Sequence, residues 1–288
     1  MAMALLRDLD SLQQWRQTVG GDDLGLIPTM GALHEGHLNL VRPARRTHQQ
    51  VIVSIFVNPR QFGPHEDYDR YPRPEAQDLA LLEKEGVDAV FLPSVAAMYP
   101  PDYQTSVVVG AIANQLCGAF RPGHFDAVAT VVLKLFTLTQ PTAAYFGEKD
   151  YQQLHVVRQM VQDFNLPLRV VGVPTVREDD GLAQSSRNLY LTPAQRQQAV
   201  AIPQTLQWVA AQLQDGIPPA IACQQGVDRL LAAGYASVDY LELRDANSLA
   251  AVAPMERPAK GQYRLLTAAR LGAPPQQTRL IDNLPLSL

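Results

Sequence analysis

The sequence has few cysteines, no long apolar run and no surplus of positive charge, and each lack excludes a class of protein. Two cysteines among 288 residues cannot form a disulfide framework, so nothing demands an oxidising compartment. The longest apolar segment, 128–138, contains Lys134 and is too short to span a bilayer. A net charge of −4 argues against an extended nucleic-acid surface. Asp8 stands where a signal peptide would continue its apolar stretch, so we expect a soluble, cytoplasmic protein.

The order of the apolar runs predicts two domains of different architecture. Up to about residue 175, short β-branched runs alternate with helical patterns, which predicts a Rossmann-like α/β domain with a mainly parallel sheet. Beyond that point two helical regions precede three strand-like runs, which predicts a smaller α+β domain. We therefore expect domains at 1–175 and 176–288. The predicted strands include 51–57, 87–92, 106–109, 143–146, 169–173, 237–243, 263–269 and 278–282.

The most informative stretch is PTMGALHEGH, from Pro28 to His37. It follows a short apolar run and leads into a helix-like segment, so it predicts a loop between a strand and a helix N-terminus. At such a corner the free N–H groups and the positive dipole end of the helix attract phosphate. His34 and His37 are three residues apart, and both rings would reach the same side. This pattern indicates a nucleotide site.

Two other interpretations of the histidine pair remain open at this point. His34 and His37 could be solvated side chains that cap a helix. They could also be half of a zinc site, since imidazole is a common zinc ligand. Against zinc, Cys117 and Cys223 stand alone, without a second cysteine at metal-ligand spacing.

Three further polar segments, 56–63, 146–153 and 180–188, follow predicted strands. Each alone is typical of a solvated loop. Because ligands of parallel sheets bind at the carboxyl ends of strands, one crevice would collect all three segments together with the histidine loop.

The residue types in these segments suit phosphate chemistry. Transfer of a phosphoryl or nucleotidyl group depends mostly on positioning and charge neutralisation. Lys149 and Arg187 would supply fixed positive charge, and the hydroxyls at 185–186 would add donors. Gln61 and Gln153 are neutral, so they suit the hydroxyl or carboxylate of an organic substrate better than a triphosphate.

Together these motifs resemble the pantothenate synthetase family, the pantoate–β-alanine ligases of the His-x-Gly-His nucleotidyltransferase-like superfamily. The resemblance covers nearly the whole chain, and so many ordered motifs are far more specific than His-x-Gly-His alone. The motifs are PTMGALHEGH at 28–37, SIFVNPRQF at 54–62, YPR at 71–73, LCG at 116–118, RPGHF at 121–125, FGEKDYQQL at 146–154, DGLA at 180–183, SSRN at 185–188 and RLIDN at 279–283.

The resemblance implies an ATP-dependent ligase of pantothenate biosynthesis, the route to a coenzyme A precursor. Pantoate would attack the α-phosphorus of ATP to give pantoyl adenylate and pyrophosphate. The amine of β-alanine would then release pantothenate and AMP.

The resemblance also implies roles for individual residues. His34, His37, Lys149 and Arg187 would be catalytic, with His37 in the place of the proton donor, while Gln61 and Gln153 would bind pantoate. The second domain would act as a lid over the nucleotide. The ATP contacts would be Met30, Gly31, Ala32, Leu33, His34, Glu35, Gly36, His37, Gly147, Glu148, Lys149, Asp150, Val176, Gln184, Ser185, Ser186 and Arg187.

Two further expectations follow from the resemblance. Magnesium would accompany ATP, and Asp78 is the candidate ligand, although Gln77 stands where the family often has a second acidic residue. Gln184 and Ala127 depart from the family pattern without removing a charged group. The chain would form a homodimer through its N-terminal domain, and its partners would be the small substrates rather than nucleic acid or membrane.

Two competing functions remain possible from the sequence. A nucleotidyltransferase acting on another small molecule would stop at a nucleotide-linked product. A non-catalytic nucleotide-binding module would tolerate Lys149→Ala and His37→Ala without losing a reaction.

Overall fold

The computed structural model describes residues 2–21, 23–64, 66–274 and 276–288. The chain divides into two compact units, one ending at Pro174 and the other running from Thr175 to Leu288.

Within its described residues, the first unit is built on a six-stranded sheet in which every neighbouring pair is parallel. The central strands are continuously apolar because both faces are covered; Leu26, Val51 and Val90 are completely buried. The strands are β1 Ala4–Leu6, β2 Leu24–Thr29, β3 Gln50–Ile55, β4 Ala89–Phe91, β5 Ala143–Gly147 and β6 Arg169–Val173.

The helices of this unit connect successive strands. The mostly buried α6 carries the predicted apolar stripe, including Val128, Val132 and Leu135. The helices are α1 Leu9–Val19, α2 Glu35–Thr47, α3 Glu75–Lys84, α4 Val95–Met98, α5 Cys117–Phe120, α6 His124–Thr139 and α7 Tyr151–Asp163.

The strand order β1-β4-β3-β2-β5-β6 sets the position of a ligand site. Strand β2 pairs with β3 on one side and with β5 on the other, so the connections run in opposite directions from this point. Crevices at such a reversal, beyond the carboxyl ends of the strands, bind ligands in open α/β sheets. The loops after β2, β3 and β5 hold the predicted segments near residues 30, 60 and 150.

The second unit, in the portion described, pairs three helices with a three-stranded antiparallel sheet of order β7-β8-β9. Leu206, Val209, Leu230 and Leu265 belong to its buried core. The elements are α8 Pro193–Ala199, α9 Ala201–Gln214, α10 Pro219–Ala232, β7 Tyr235–Asp245, β8 Gln262–Leu271 and β9 Thr278–Ser287. The parallel sheet and this smaller unit confirm the predicted fold class.

The structure differs from the sequence prediction in two elements. Residues 106–109 join neither of the two sheets described above, and two of their N–H groups bind side chains of α6 instead. Val107 donates to the Thr130 hydroxyl at 2.9 Å and Val109 to the Asp126 carboxylate at 2.8 Å.

The first of the two predicted helical regions beyond residue 175 is two helices, α8 and α9, rather than one. Pro203 has no N–H to donate to the carbonyl of Ala199, which ends α8. The hydroxyl of Tyr235 donates to that carbonyl instead, at 3.1 Å.

No helix within the described ranges is long and apolar enough to cross a membrane.

Candidate active site

The loop after β2 carries the two predicted histidines to the N-terminus of α2. His34 is the N-cap of α2 and His37 is its third residue, and each side chain accepts a hydrogen bond from backbone N–H groups of this turn, in a capping box. The ring centroids lie 4.1 Å apart. The histidines therefore cap the helix, as one sequence interpretation held, and they also form a pair.

The caps determine the tautomer of each ring. Nδ1 of His34 accepts from the N–H of Gly36 at 3.1 Å, and Nδ1 of His37 faces the N–H of His34 at 3.4 Å. A neutral imidazole that accepts at Nδ1 carries its proton at Nε2. Both rings are therefore Nε2–H donors.

The backbone of this loop differs from the expected phosphate-binding corner. We expected free N–H groups to face the ligand, yet most N–H groups of the turn have partners within the chain. Gly31 donates to the Thr29 hydroxyl at 3.2 Å, and Ala32 and Leu33 donate to Asp78 at 2.8 Å. The amides of Gly31, Ala32 and Leu33 therefore bind within the protein rather than facing a ligand.

Electrostatics keep His37 neutral in the ligand-free protein. Burial lowers the pKa of His37 well below its usual value, and the neighbouring His34 and Lys149 lower it further by electrostatic interaction. This influence shows that Lys149, from the loop after β5, lies near the histidine pair. The Lys149 ammonium is 3.6 Å from the Asp150 carboxylate.

Glu35 has a different environment from the other predicted ATP contacts of this loop. It is exposed and forms an ion pair with Arg42, which also contacts Glu85. The hydrogen bond from Arg42 lowers the pKa of Glu35.

Gln61 lies after β3, with its amide held on both sides. The Nε2 group donates to the sulfur of Met30 at 2.9 Å, and Oε1 accepts from Asn58 at 3.2 Å. Asn58 is 1% exposed and donates as well to the carbonyl of Ala127 at 3.3 Å. Sequence reasoning missed Asn58, although its place directly before the Pro-Arg-Gln segment was a signal.

Arg121 and His124, whose roles the sequence left open, fix the backbone of Gln61. Nδ1 of His124 donates to the Gln61 carbonyl at 2.8 Å, and the Arg121 guanidinium reaches the same oxygen at 3.2 Å. Arg121 also binds both carboxylate oxygens of Glu66, at 2.7 and 2.5 Å. Burial alone would raise the pKa of Glu66, but the hydrogen bonds and charge of Arg121 outweigh it and lower the pKa to about 2.

The two adjacent glutamines at the start of α7 have separate environments. Gln152 is 3% exposed and holds the loop before α5, accepting from the N–H of Cys117 at 3.0 Å and donating to the carbonyls of Ile112 and Gln115. Gln153, the predicted substrate contact, is only partly buried.

The predicted ATP contacts of the second unit lie together in one hairpin of that unit. Residues 177 and 183 form an antiparallel bridge, and the N–H of Gln184 donates to the carbonyl of Val176 at 3.0 Å. The Ser185 hydroxyl accepts from the N–H of Arg187 at 3.3 Å. Ser186 is 7% exposed.

Strand β9 holds this hairpin through the RLIDN motif. Arg177 donates to both carboxylate oxygens of Asp282, at 2.7 and 2.9 Å, and to the carbonyl of Asn283 at 3.0 Å. The sequence analysis identified this motif but predicted no function for it.

Asp78, the predicted magnesium ligand, has both carboxylate oxygens bonded to backbone amides. Burial raises the pKa of its carboxyl, and the two amides oppose that shift. Among the residues the structure describes, no three or more histidine, cysteine, aspartate or glutamate side chains group together as a metal site.

Comparisons with known proteins agree on one family. The sequence model described as pantoate-beta-alanine ligase matches residues 4–285. A pantothenate synthetase from Magnetococcus marinus is 52% identical over 287 residues, covering 99% of this chain and 96% of that protein.

Solved structures agree as well. The crystal structure of pantothenate synthetase from Thermus thermophilus is 46% identical, with a TM-score of 0.89, and the match covers 98% of this chain and 99% of that one. Pantoate-beta-alanine ligase from Francisella tularensis, described as complexed with beta-gamma ATP and beta-alanine, is 33% identical, with a TM-score of 0.82 and coverage of 98% and 97%.

Proposed function

This chain belongs to the pantoate–β-alanine ligase family, and from that premise we propose that it joins pantoate to β-alanine with ATP through a pantoyl adenylate. The observation that carries the proposal is the pair of Nε2–H imidazoles beside Lys149 at the reversal point of the sheet.

In the first step a carboxylate oxygen of pantoate forms a bond to the α-phosphorus of ATP, and the bond from that phosphorus to the bridging oxygen breaks. His34 and His37 donate from Nε2 to phosphate oxygens, and Lys149 neutralises the charge that leaves with pyrophosphate. Burial, and after it the neighbouring positive charges, keep the pKa of His37 low without ligand. A polyanion opposes them, which favours protonation of His37 and supports its role as proton donor.

In the second step the amine of β-alanine attacks the acyl carbon of the mixed anhydride, and the bond to the adenylate oxygen breaks. The amine loses a proton, and pantothenate and AMP leave. This sequence needs no protein nucleophile, in keeping with the buried free thiols of Cys117 and Cys223.

Gln61 and Gln153 are the proposed pantoate ligands. Asn58, Arg121 and His124 hold Gln61 from its side chain and its backbone, so its amide is positioned before substrate arrives. The remaining predicted ATP contacts, Gly147 to Asp150 in the first unit and Val176 with Gln184 to Arg187 in the second, stay predictions of the resemblance.

Magnesium enters this scheme with ATP. The ion usually retains several waters and binds substrate phosphates more than protein groups. We infer that the phosphates supply most of its ligands here, since the described residues offer no cluster of carboxylates.

Two further inferences concern the whole protein, namely its oligomeric state and its location in the cell. We infer a homodimer formed by the first unit, supported by the segment 104–110, where the Val108 side chain is 82% exposed. We infer a cytoplasmic location because ATP is available there.

Pyrophosphate–ATP exchange tests the proposed function. Label from pyrophosphate should enter ATP when pantoate and magnesium are present, and β-alanine should not be needed. With β-alanine added, the products should be pantothenate and AMP. A stable nucleotide-linked product that ignores β-alanine would instead identify the nucleotidyltransferase, and exchange that ignores pantoate would exclude the ligase.

A further inference from the structure

Asp78 connects helix α3 to the loop that presents the catalytic histidines. It lies in the first turn of α3 and is 1% exposed. One carboxylate oxygen accepts from the N–H of Ala32 and the other from the N–H of Leu33, both at 2.8 Å. Hydrogen bonds to an ionised acceptor are about twice as strong as neutral ones.

The backbone held by Asp78 is one that the chain does not favour on its own. Gly31 has φ +79° and Ala32 has φ +50°, in the left-handed region that residues with a Cβ rarely adopt. A Cβ on Gly31 would lie 3.0 Å from Oδ2 of Asp78, so the loop also packs closely against this carboxylate. Such strained conformations persist where the surroundings hold them.

The geometry leaves little of Asp78 for a metal ion. Magnesium takes octahedral oxygen ligands and loses its waters reluctantly, so it needs open lone pairs and room for solvent. The Asp78 side chain lines a cavity together with Met30 and Gly31, but the residue is only 1% exposed and each of its carboxylate oxygens already accepts from a backbone N–H.

We propose that Asp78 is a positioning residue, which clamps the backbone at Ala32 and Leu33 so that His34 and His37 face ATP, and that it does not bind magnesium. The clamp belongs to the proposed ligase reaction, and it acts at the ATP step alone. Pantoate binding, which the proposed function assigns to Gln61, should depend on it much less, because Asn58, Arg121 and His124 also hold Gln61.

The test compares Asp78→Asn with Asp88→Asn. Asp88 is a matched control, since its carboxylate also accepts a backbone N–H, that of Val51 at 2.7 Å, but at the amino end of the strands. The rate of pyrophosphate exchange is measured while the concentration of ATP, then of pantoate, then of magnesium is varied. In the ATP and pantoate series, magnesium is in excess so that ATP is present as its magnesium complex.

For Asp78→Asn we expect a roughly ten- to hundred-fold fall in kcat/KM for ATP, the loss typical of hydrogen bonds to a charged group. The KM for pantoate and the half-saturating magnesium concentration should stay within about twofold of wild type, and Asp88→Asn should leave all three near wild type. Adding Ala32→Gly to Asp78→Asn should restore part of the ATP step, because glycine adopts the left-handed conformation without steric cost.

Three results would overturn the clamp. The first is unchanged pyrophosphate exchange in Asp78→Asn. The second is a raised magnesium requirement in Asp78→Asn, with the exchange rate restored by excess magnesium. The third is an equal loss of pyrophosphate exchange in Asp88→Asn. If the variants do not fold, amide hydrogen exchange of the wild-type protein decides. The clamp requires slow exchange at Ala32 and Leu33 with or without magnesium, and fast exchange there would refute it. A wild type with no pantoate-dependent exchange would instead refute the proposed function and leave the amide result standing.

Discussion

At the scale of single residues, His37 joins structural and chemical tasks in one ring. Its Nδ1 serves the helix cap and its Nε2–H is left for phosphate. Replacing it with alanine removes both.

We predict that His37→Ala slows adenylate formation by roughly two to four decades, the range of acid–base and oxyanion-type contributions. Single-turnover formation of the adenylate measures this loss. Arg46→Ala is the control, because Arg46 is exposed in the last turn of the same helix. Full turnover by His37→Ala would remove this imidazole from the mechanism.

Gln61→Ala should affect the other substrate. Its amide is fixed by Asn58 and its backbone by His124, so truncation should raise the KM for pantoate by about ten-fold or more while ATP binding changes little. Steady-state kinetics with each substrate varied, and calorimetric binding of ATP, separate the two effects. Equal loss of affinity for both substrates would contradict the assignment.

Residue types alone do not separate neighbours with different tasks. Gln152 and Gln153 follow each other, yet Gln152 is buried on backbone groups of the loop before α5. The distinction depends on which face of α7 each residue occupies and on what packs there, which the sequence motif does not contain. Asp78 illustrates the same limit, since its partners lie 45 and 46 positions away in the chain.

At the scale of elements, the antiparallel sheet of the second unit depends on a close approach of α10 to its neighbours. Gly226 permits it, since a Cβ there would lie 2.6 Å from a methyl of Val209 and 2.8 Å from a methyl of Leu241. Helix α9 and strand β7 supply these two side chains.

We predict that Gly226→Val destabilises the protein by about 1 to 3 kcal/mol, the usual cost of overpacking a core. Urea unfolding followed by circular dichroism measures the change. Gly21→Val is the comparison, because a Cβ at Gly21 meets nothing within 4 Å. Equal stability of the two variants would mean that α10 shifts without cost.

The elements show where sequence periodicity suffices and where it fails. Strands β2 to β5 are predicted from apolar runs, because these strands are buried on both faces of the sheet. Helix α6 is predicted from apolar residues at helical spacing, because one face of a helix packs on the core. The segment 106–109 has the composition of a strand, but its partners are side chains of α6 rather than another strand. Composition does not reveal such partners.

At the scale of the whole molecule, the proposed dimer makes a direct prediction. The segment 104–110 leaves the Val108 side chain 82% exposed, and a second copy of the chain can cover it. Val108→Lys should shift the protein toward monomer in sedimentation velocity runs. Thr105→Lys, which adds the same charge at another exposed position of the segment, is the comparison variant. A monomeric wild type, or an unaffected Val108→Lys dimer, would contradict this interface.

The low pKa of His37 predicts how global stability depends on pH. Its folded pKa lies below the usual value of 6.5, so below about pH 6.5 the unfolded chain takes up a proton that the folded chain does not. Stability should therefore fall as pH drops from 7.5 to 5.5. Without ATP, this fall should be smaller in His37→Gln by about 1 kcal/mol. Denaturant titrations at both pH values measure it, and identical falls would mean that His37 titrates normally.

The fold class followed from the sequence because the order of strands and helices constrains topology strongly. The histidine loop was placed correctly for the same reason. The partners of its backbone N–H groups were not predicted correctly. These groups donate to Asp78 and to the capping side chains, and the bonds to Asp78 depend on contacts between distant elements.

The tie between Arg177 and the Asp282–Asn283 pair spans more than a hundred positions of the chain. During translation, a ribosome would release the 176–187 hairpin long before the strand that secures it. A nascent polypeptide would therefore carry the loop with His34 and His37 early, and would secure the 176–187 hairpin only after strand β9 has been synthesised.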